Sequence, residues 1–323
     1  MTRKEPQHAS FVLDAVRSPE KAAASPVVAS WRRSALHHRL DPANATKREQ
    51  IGALTLAQLR EANGPLLAVA GPILDQMFRA VGRSGCCVVL SNEHGVILEE
   101  RTEAGDISAF AQIGLVRGGR WGEAEEGTNG IGTCLYEDQP VVIHRDQHFA
   151  SRNTGISCMD APVHDPHGRL IAALDVSSCR YDHDVAMADM ISALVRDTAR
   201  RIERDYFCRH FDGARIIFLA DDPGVGTALL AVDRDDLVIG ASRGARLRLS
   251  LTEDSLTRPR PLDQVMGGST TASFHDGERA ILRRALASSG GNASKAARLL
   301  GVGRATLYRR MVTAGLDRQG IFS

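Results

Sequence analysis

The sequence predicts an α+β protein with a helical N-terminal segment, a mixed helix-and-sheet middle domain, a short strand-bearing or linker segment, and an all-α C-terminal module. Three observations carry that reading. Between Pro26 and about Arg83, apolar residues recur at mixed three- and four-residue spacing. From Gly85 to Cys179 they gather instead into short runs parted by turn residues. From Asp276 to Ser323 helical spacing returns, punctuated by Gly290, Gly291, Gly301 and Gly303.

Taken in order, residues 1–25 are polar and rich in alanine, proline and lysine, a composition that predicts partial disorder. Residues 26–84 follow as a helical segment. Leu54, Leu56, Leu59, Leu66, Leu67, Val69, Ile73, Leu74, Met77 and Phe78 supply its apolar positions. Gly64-Pro65 and Gly71-Pro72 interrupt the run and can each start a helix, since proline fits a first turn. Residues 85–209 form the middle domain. Cys86–Leu90 and Val96–Leu98 flank the turn Ser91–Gly95, and Pro140–His144 reads as a further strand. The clearest hairpin joins Ser157–Val163 to Leu170–Val176 through Asp165-Pro166-His167-Gly168. A helix from Asp182 to Arg209 closes the domain, with Val185, Met187, Met190, Ile191, Leu194 and Val195 as an amphipathic stripe.

Residues 210–251 hold three strand-like runs, Ile216–Leu219, Ala228–Val232 and Leu237–Ile239, around turns at Asp221–Gly224 and Asp233–Asp236. Residues 252–273, rich in Ser, Thr, Pro, Gly and Asp, read as a linker. In residues 274–323, Gly291 can end one helix in a left-handed conformation and Asn292 can cap the next. Gly301 can swing a third helix across the second, the geometry of a helix-turn-helix. Ala296, Ala297, Leu299, Leu300, Val302, Leu307 and Met311 would form a small shared core.

Charge singles out this last module. The chain of 323 residues has a net charge of only +1. Asp276 to Ser323 holds nine cationic and three acidic side chains, so it carries +6 and the remainder −5. Such asymmetry is the electrostatic footprint of nucleic-acid binding. The third helix would enter a major groove, with Arg304 reading guanine and Thr306 touching a phosphate or a thymine methyl. Asn292, Ser294 and Lys295 would hold phosphates at the start of the second helix, and Arg309 and Arg310 further along the third, with Tyr308 facing outward.

Gly291 to Arg310 resembles the Fis-type helix-turn-helix that ends bacterial enhancer-binding proteins. The resemblance implies DNA contacts from Asn292, Ser294, Arg304, Thr306, Arg309 and Arg310. Gly303 stands where that family often has Ser or Asn. Upstream, Leu90–Leu98, Trp121-Gly122-Glu123, Gly127–Thr133, His148-Phe149 and Cys158–Val176 resemble the GAF sensor domain of acetoin-catabolism-type regulators. Ser30–Ser34 and Leu40-Asp41-Pro42 resemble that family's N-terminal segment. The resemblance covers most of residues 26–205. It implies a sheet with helices on one side and loops on the other, a small-molecule effector held between sheet and loops, and a homodimer formed through flanking helices. Residues 213–250 weakly resemble a shortened PAS domain. Enhancer-binding relatives carry an ATPase between sensor and DNA-binding module. Residues 210–273 are too few for one, and Pro223-Gly224-Val225-Gly226-Thr227 lacks the lysine of a phosphate-binding loop.

Several side chains have two readings each. Trp121 either walls an effector pocket or packs in the core. Gly127-Thr128-Asn129-Gly130 marks a strained loop opening a helix, whose amides can also meet an anionic ligand. Cys158, beside Asp160, either touches a ligand or senses oxidation, or is core. Cys86 and Cys87 are a redox sensor or small buried hydrophobes. His144, Asp146 and His148 alternate and would share one strand face, as a metal site or as a polar edge. No cofactor and no structural zinc site are expected, since none of the six cysteines sits in a CxxC pair.

The polar stretch Met1–Ser10 carries no secretory signal, and no apolar run is long enough to span a bilayer, so a cytoplasmic location is expected. The functional expectation is a non-enzymatic, effector-responsive transcriptional regulator. It would bind operator DNA as a dimer, with RNA polymerase as the partner if it recruits. Two alternatives stand beside it: a GAF-type methionine-sulfoxide reductase using Cys86, Cys134 or Cys158, and a Fis-like architectural protein that bends DNA.

Overall fold

A computed structural model describes residues 5–44, 50–180, 182–222, 224–267 and 274–316. Pro223 of the expected turn, residues 268–273 of the expected linker and residues 317–323 lie outside them. The chain divides into two compact units, residues 1–259 and 260–323.

Residues 5–24, whose composition predicts partial disorder, are helical instead. Helices α1 (Glu5–Val16) and α2 (Pro19–Ala24) lead into α3 (Pro26–Arg32). Ser18 and Ser25 cap α2 and α3 through their hydroxyls, and Pro19 and Pro26 occupy the first turns. The reason for the order is tertiary. Val12, Ala15 and Val16 are buried against Trp31 and Phe149, which composition does not reveal.

Helix α4 (Ala53–Ala62) precedes α5 (Gly64–Val81). Helix α5 runs unbroken through Pro72, where the Gly71-Pro72 signal allows a new start. Proline there costs a backbone hydrogen bond, but Leu66, Val69, Ala70, Ile73, Leu74, Met77 and Val81 are all buried on one side of the helix. That apolar stripe outweighs the loss.

The middle domain is built on an antiparallel sheet of β1 (Cys86–Ser91), β2 (Ile97–Arg101), β3 (Val141–His144), β4 (Ser157–His164) and β5 (Leu170–Ser178), in the order β2-β1-β5-β4-β3. Both expected hairpins form. In the second, Asp165 accepts hydrogen bonds from the amides of His167 and Arg169, and Gly168 takes a φ of 78° that favours glycine. One face of the sheet packs on α5 and on α9 (Val185–His210). The other is roofed by α6 (Ile107–Gln112), α7 (Glu123–Glu126), α8 (Gly130–Glu137) and their loops.

Helix α9 is capped by Asp184, which accepts from the Met187 amide. Its inner stripe differs from the expected one. Ala188, Ile191, Val195, Ala199 and Ile202 are buried, whereas Val185 is 64% and Met190 68% exposed. Strands β6 (Arg215–Asp222), β7 (Gly226–Val232) and β8 (Leu237–Ala241) then pair antiparallel, and α10 (Arg243–Leu249), which the sequence reading left out, packs on β7. Phe207, at the end of α9, is buried with Leu229 and Ala231 of β7. Within the expected linker, short helices form at Glu253–Thr257 (α11) and Leu262–Val265 (α12).

The second unit holds α13 (Phe274–Ser288), α14 (Ala293–Leu299) and α15 (Arg304–Thr313). Leu282, Ala285, Leu286, Ala296, Ala297, Leu307, Met311, Ala314 and Leu316 form its core. Leu299, an expected core residue, is 63% exposed, and Leu282 and Leu286 of α13 take the central places.

Candidate functional site

The C-terminal unit presents its cationic side chains by geometry that the glycines set. Gly291 has φ 77° and its amide bonds the carbonyl of Leu286, which ends α13. The Asn292 side chain accepts from the Lys295 amide at 3.1 Å and starts α14. Gly301 has φ 65°, and the Val302 amide reaches back to the Ala297 carbonyl, a left-handed cap that turns the chain into α15. Gly303 begins α15 without a side-chain cap.

Along α15, Leu307 and Met311 point inward at one-turn spacing. Arg304, Arg309 and Arg310 are exposed, and Thr306 is half-buried. On the preceding helix Asn292 and Lys295 are exposed and Ser294 is half-buried. Two expected positions differ in detail. Tyr308 does not simply face outward, because its ring packs partly against the core, with the Arg304 guanidinium 5.6 Å from its centroid. Arg310 forms an ion pair with Glu278 of α13 at 3.3 Å, a tie that only the packing of the three helices creates.

In the middle domain the five candidate effector residues are all buried but do different things. Trp121 lies in the apolar cluster with Ile97, Phe110, Ile131 and Cys158, and its indole N–H donates to the Gly114 carbonyl at 3.0 Å. Thr128 meets the Ser30 hydroxyl at 2.7 Å and that of Ser34 at 3.3 Å. Asn129 caps α8 by accepting from the Gly132 amide and donating to the Gly127 carbonyl. Cys158 and Asp160 share the inner face of β4, under the start of α8.

Asp160 stands directly across from Asp175 of β5. Both carboxyls are fully enclosed, and neither Asp160 oxygen meets a hydrogen-bond donor among the described residues. Burial, then repulsion from Asp175, holds the Asp160 carboxyl well above the usual carboxylate range. Burial pushes Asp175 up to about 7, against the pull of the hydrogen bonds from Ser177. The pair therefore keeps a proton that exposed carboxyls would have lost. Asp175 was missed in the sequence, although a lone acid in the apolar run Leu170–Val176 is the signal that could have found it.

The Ser30–Ser34 motif works as a brace. Arg33 grips Glu123 through two bonds of 2.5 and 2.8 Å and reaches Glu137 at 3.0 Å. Trp31 donates to the Gln147 carbonyl at 2.8 Å. Nearby, Arg152 holds the buried Glu126 through both carboxylate oxygens.

The histidine pattern does not share a strand face. Strand β3 ends at His144, and residues 145–147 form a tight turn, so the alternation stops. His144 bonds Ser157, whereas His148 lies beside the Cys158 sulfur at 3.4 Å. No group of three ligating side chains converges among the described residues. Burial pushes the thiols of Cys86, Cys87, Cys134 and Cys158 upward, so they stay protonated near neutrality.

Family comparison agrees with both halves of this geometry. The GAF domain family matches residues 65–197, and the Fis family of bacterial regulatory proteins matches residues 274–312. The chain carries a GAF domain followed by a Fis-family helix-turn-helix. The GAF match takes in α5, which the sequence places in the helical segment 26–84 ahead of the middle domain. The acetoin catabolism regulatory protein of Cupriavidus necator is 29% identical over 224 residues, 68% of this chain and 34% of that protein. The propane 2-monooxygenase operon transcriptional activator MimR of Mycolicibacterium smegmatis is 28% identical over 54% of this chain and 30% of its own length. The acetoin dehydrogenase operon transcriptional activator AcoR of Bacillus subtilis is 29% identical over 38% and 20%. The chain thus spans about a third or less of these relatives. A chain of the E. coli DhaR(N)–DhaL complex shares the fold, with a TM-score of 0.51 and 17% identity over 74% of this chain and 82% of that one. No helix among the described residues is long and apolar enough to cross a membrane.

Proposed function

We propose that the protein is an effector-responsive transcriptional regulator that binds operator DNA as a homodimer. One observation carries the DNA-binding half: Arg304 and Arg309 stand exposed on α15 while Leu307 and Met311 of the same helix are buried. The inner face anchors the helix, and the outer face is free for a major groove. Arg304 and Thr306 read base edges. Asn292, Ser294, Lys295, Arg309 and Arg310 hold phosphates, and Tyr308 supports Arg304.

The relatives' names as transcriptional activators and regulatory proteins support the same reading. Exposed Met190 and Leu194, one turn apart on α9, support pairing with a second copy. Two such modules read half-sites about 34 Å apart, one turn of the duplex.

The effector acts at the GAF domain's inner face, beside Trp121, Thr128, Asn129, Cys158 and Asp160. The unpartnered, enclosed carboxyl of Asp160 supports that placement. Residues 210–273 offer neither the length nor the lysine-bearing loop of an ATPase, so control works by occupancy of DNA, in the cytoplasm. The methionine-sulfoxide reductase alternative requires a thiolate, which the buried, upshifted cysteines disfavour.

The test is binding of the full chain to labelled duplexes from its own upstream region and to random duplexes at two salt concentrations. A steep preference for one sequence, lost with Arg304→Ala, is expected. Failure to bind any duplex at low salt overturns the reading. A thermal-shift screen of small metabolites, repeated on Asp160→Asn, tests the sensor half.

A further inference from the structure

One imidazole in the first unit is gripped at both of its nitrogens. His164, the last residue of β4, has a side chain only 6% exposed. Glu203 of α9 meets its Nδ1 at 2.6 Å and also accepts from its main-chain amide at 2.8 Å. Asp138, which follows α8, meets its Nε2 at 2.7 Å and accepts from Arg243 of α10 at 3.2 Å. The end of α8, the end of β4, α9 and the start of α10 are thus tied through one ring.

Such a grip needs a proton. A neutral imidazole donates from one nitrogen only, and the other turns a lone pair to whatever stands there. A carboxylate at each nitrogen is satisfied only by the imidazolium, in which both donate. Burial opposes that charge, but Glu203 and Asp138 outweigh it and raise the His164 pKa above its ordinary value of 6.5, with Arg243 pulling the other way. Arg196, Arg200 and Arg204 of α9 and Asp165 of the β4–β5 turn line the two hollows that flank the ring. Arg200 is paired with Asp197, Arg204 with Asp205 and Asp165 with Arg169. Val225, Thr227 and Leu229, from the β6–β7 turn and β7, bring no charge to those hollows.

We propose that His164 is a proton-dependent clamp that locks the end of α8 to β4 and α9 and lets α8 go as pH rises. The two carboxylates are not equivalent in that step. When the ring loses a proton to solvent it keeps the Nδ1–H on Glu203, which the His164 amide also holds. Nε2 then turns its lone pair to Asp138, which keeps Arg243 but is repelled by the ring. Asp138 has φ 50°, a value that few residues other than glycine adopt, so the turn it makes after α8 relies on what holds its carboxylate. The clamp is complete below the ordinary histidine value of 6.5 and is lost as pH rises through the raised folded value. It bears on α8 as a whole, because the other end of that helix, Gly130, rests on Asp160 and Cys158. It depends on neither the DNA-binding nor the effector reading.

The experiment uses the full chain, isotope-labelled at its histidine rings and titrated by NMR from pH 5 to pH 9. The His164 resonance is the one absent in His164→Gln. It should release its proton at a higher pH than free histidine in the same buffer. Hydrogen exchange at residues 134–140, corrected for the intrinsic effect of pH, should accelerate through the same transition. In His164→Gln the same segment should exchange fast at low and high pH alike. Asp138→Asn keeps the size of the side chain and suits the left-handed turn, so it reads the clamp even if His164→Gln folds poorly. It should lower the His164 midpoint by about one pH unit or more, a tenfold change in proton affinity. If His164 titrates with free histidine, if no histidine midpoint moves in Asp138→Asn, or if exchange at the end of α8 ignores the transition, the clamp is overturned whether or not the protein binds DNA.

Discussion

Asp160 is the residue whose surroundings most need explaining. A carboxyl that is enclosed, faces another carboxyl and has no donor destabilises the fold unless it keeps a proton. The sign of the resulting pH dependence follows. An unfolded aspartate releases its proton near about pH 4, whereas folded Asp175 releases its own at about 7. Between those values the folded state holds more protons, so stability falls as pH rises. The slope is about 1.4 kcal/mol per pH unit for each extra proton retained. Asp160→Asn removes the mutual repulsion, flattens this slope and raises the melting temperature above pH 7. Denaturant melts of both proteins between pH 5 and pH 8 check it; parallel curves would contradict the shared-proton account.

At the same scale, the proposed DNA contact is divided between Arg304 and Arg309. In that proposal Arg304, at the start of α15, reads base edges, and its loss should flatten the difference between operator and random duplexes. Arg309 projects from the next turns, and Arg309→Ala should weaken all duplexes alike and lower the salt slope by about 1. Arg310 is already paired with Glu278, so its removal would combine loss of the proposed phosphate contact with a loosened module. Equal effects of Arg304→Ala and Arg309→Ala on every duplex would remove the distinction.

At the scale of elements, α8 is seated by the absence of a side chain. A Cβ at Gly130 would lie 2.0 Å from an Asp160 oxygen and 2.5 Å from the Cys158 Cβ. Both are enclosed and have little room to give. Gly130→Ala should therefore cost about 1–3 kcal/mol, the range of an overpacked core. Thermal denaturation measures it, and a variant as stable as the parent would show that α8 can lift from the sheet. By the same closeness, the effector proposed at this face would have to displace α8 to reach Asp160.

Much of the element scale was legible beforehand. The Asp165–Gly168 turn, the Asn292 cap and the Gly291 and Gly301 stops are local chemistry acting over four or five residues. Helix α10 was not read, because Arg243–Leu249 lacks a clear apolar stripe and is fixed by Ser242 and by packing on β7. The outer face of α9 is hidden from the sequence for a related reason. Met190 and Val185 are as apolar as Ile191 and Val195, and only the position of the sheet says which are covered.

At the scale of the whole molecule, the N-terminal helices belong to the GAF-bearing unit rather than trailing from it. Arg33 holds Glu123, whose side chain is 4% exposed, and the Ser30 hydroxyl meets Thr128. Arg33→Ala leaves a buried carboxylate with little compensation and should cost about 3 kcal/mol. It should also increase proteolysis of residues 5–44 under native conditions. Unchanged stability and unchanged cleavage would show that the brace is incidental.

By itself the sequence determined the alternation of helix and strand and the helix-turn-helix with its cationic outer helix, which rest on short-range rules: period, cap, turn glycine and local charge. The order of the GAF and Fis-type modules came from resemblance to known families. Only the tertiary structure decided that residues 5–24 are ordered, that Asp160 faces Asp175, that Thr128 serves Ser30, and that His164 is clamped between Asp138 and Glu203. Those outcomes depend on strand register and helix docking over long separations. A polar side chain's partner, and with it its charge, is set by what the fold brings beside it.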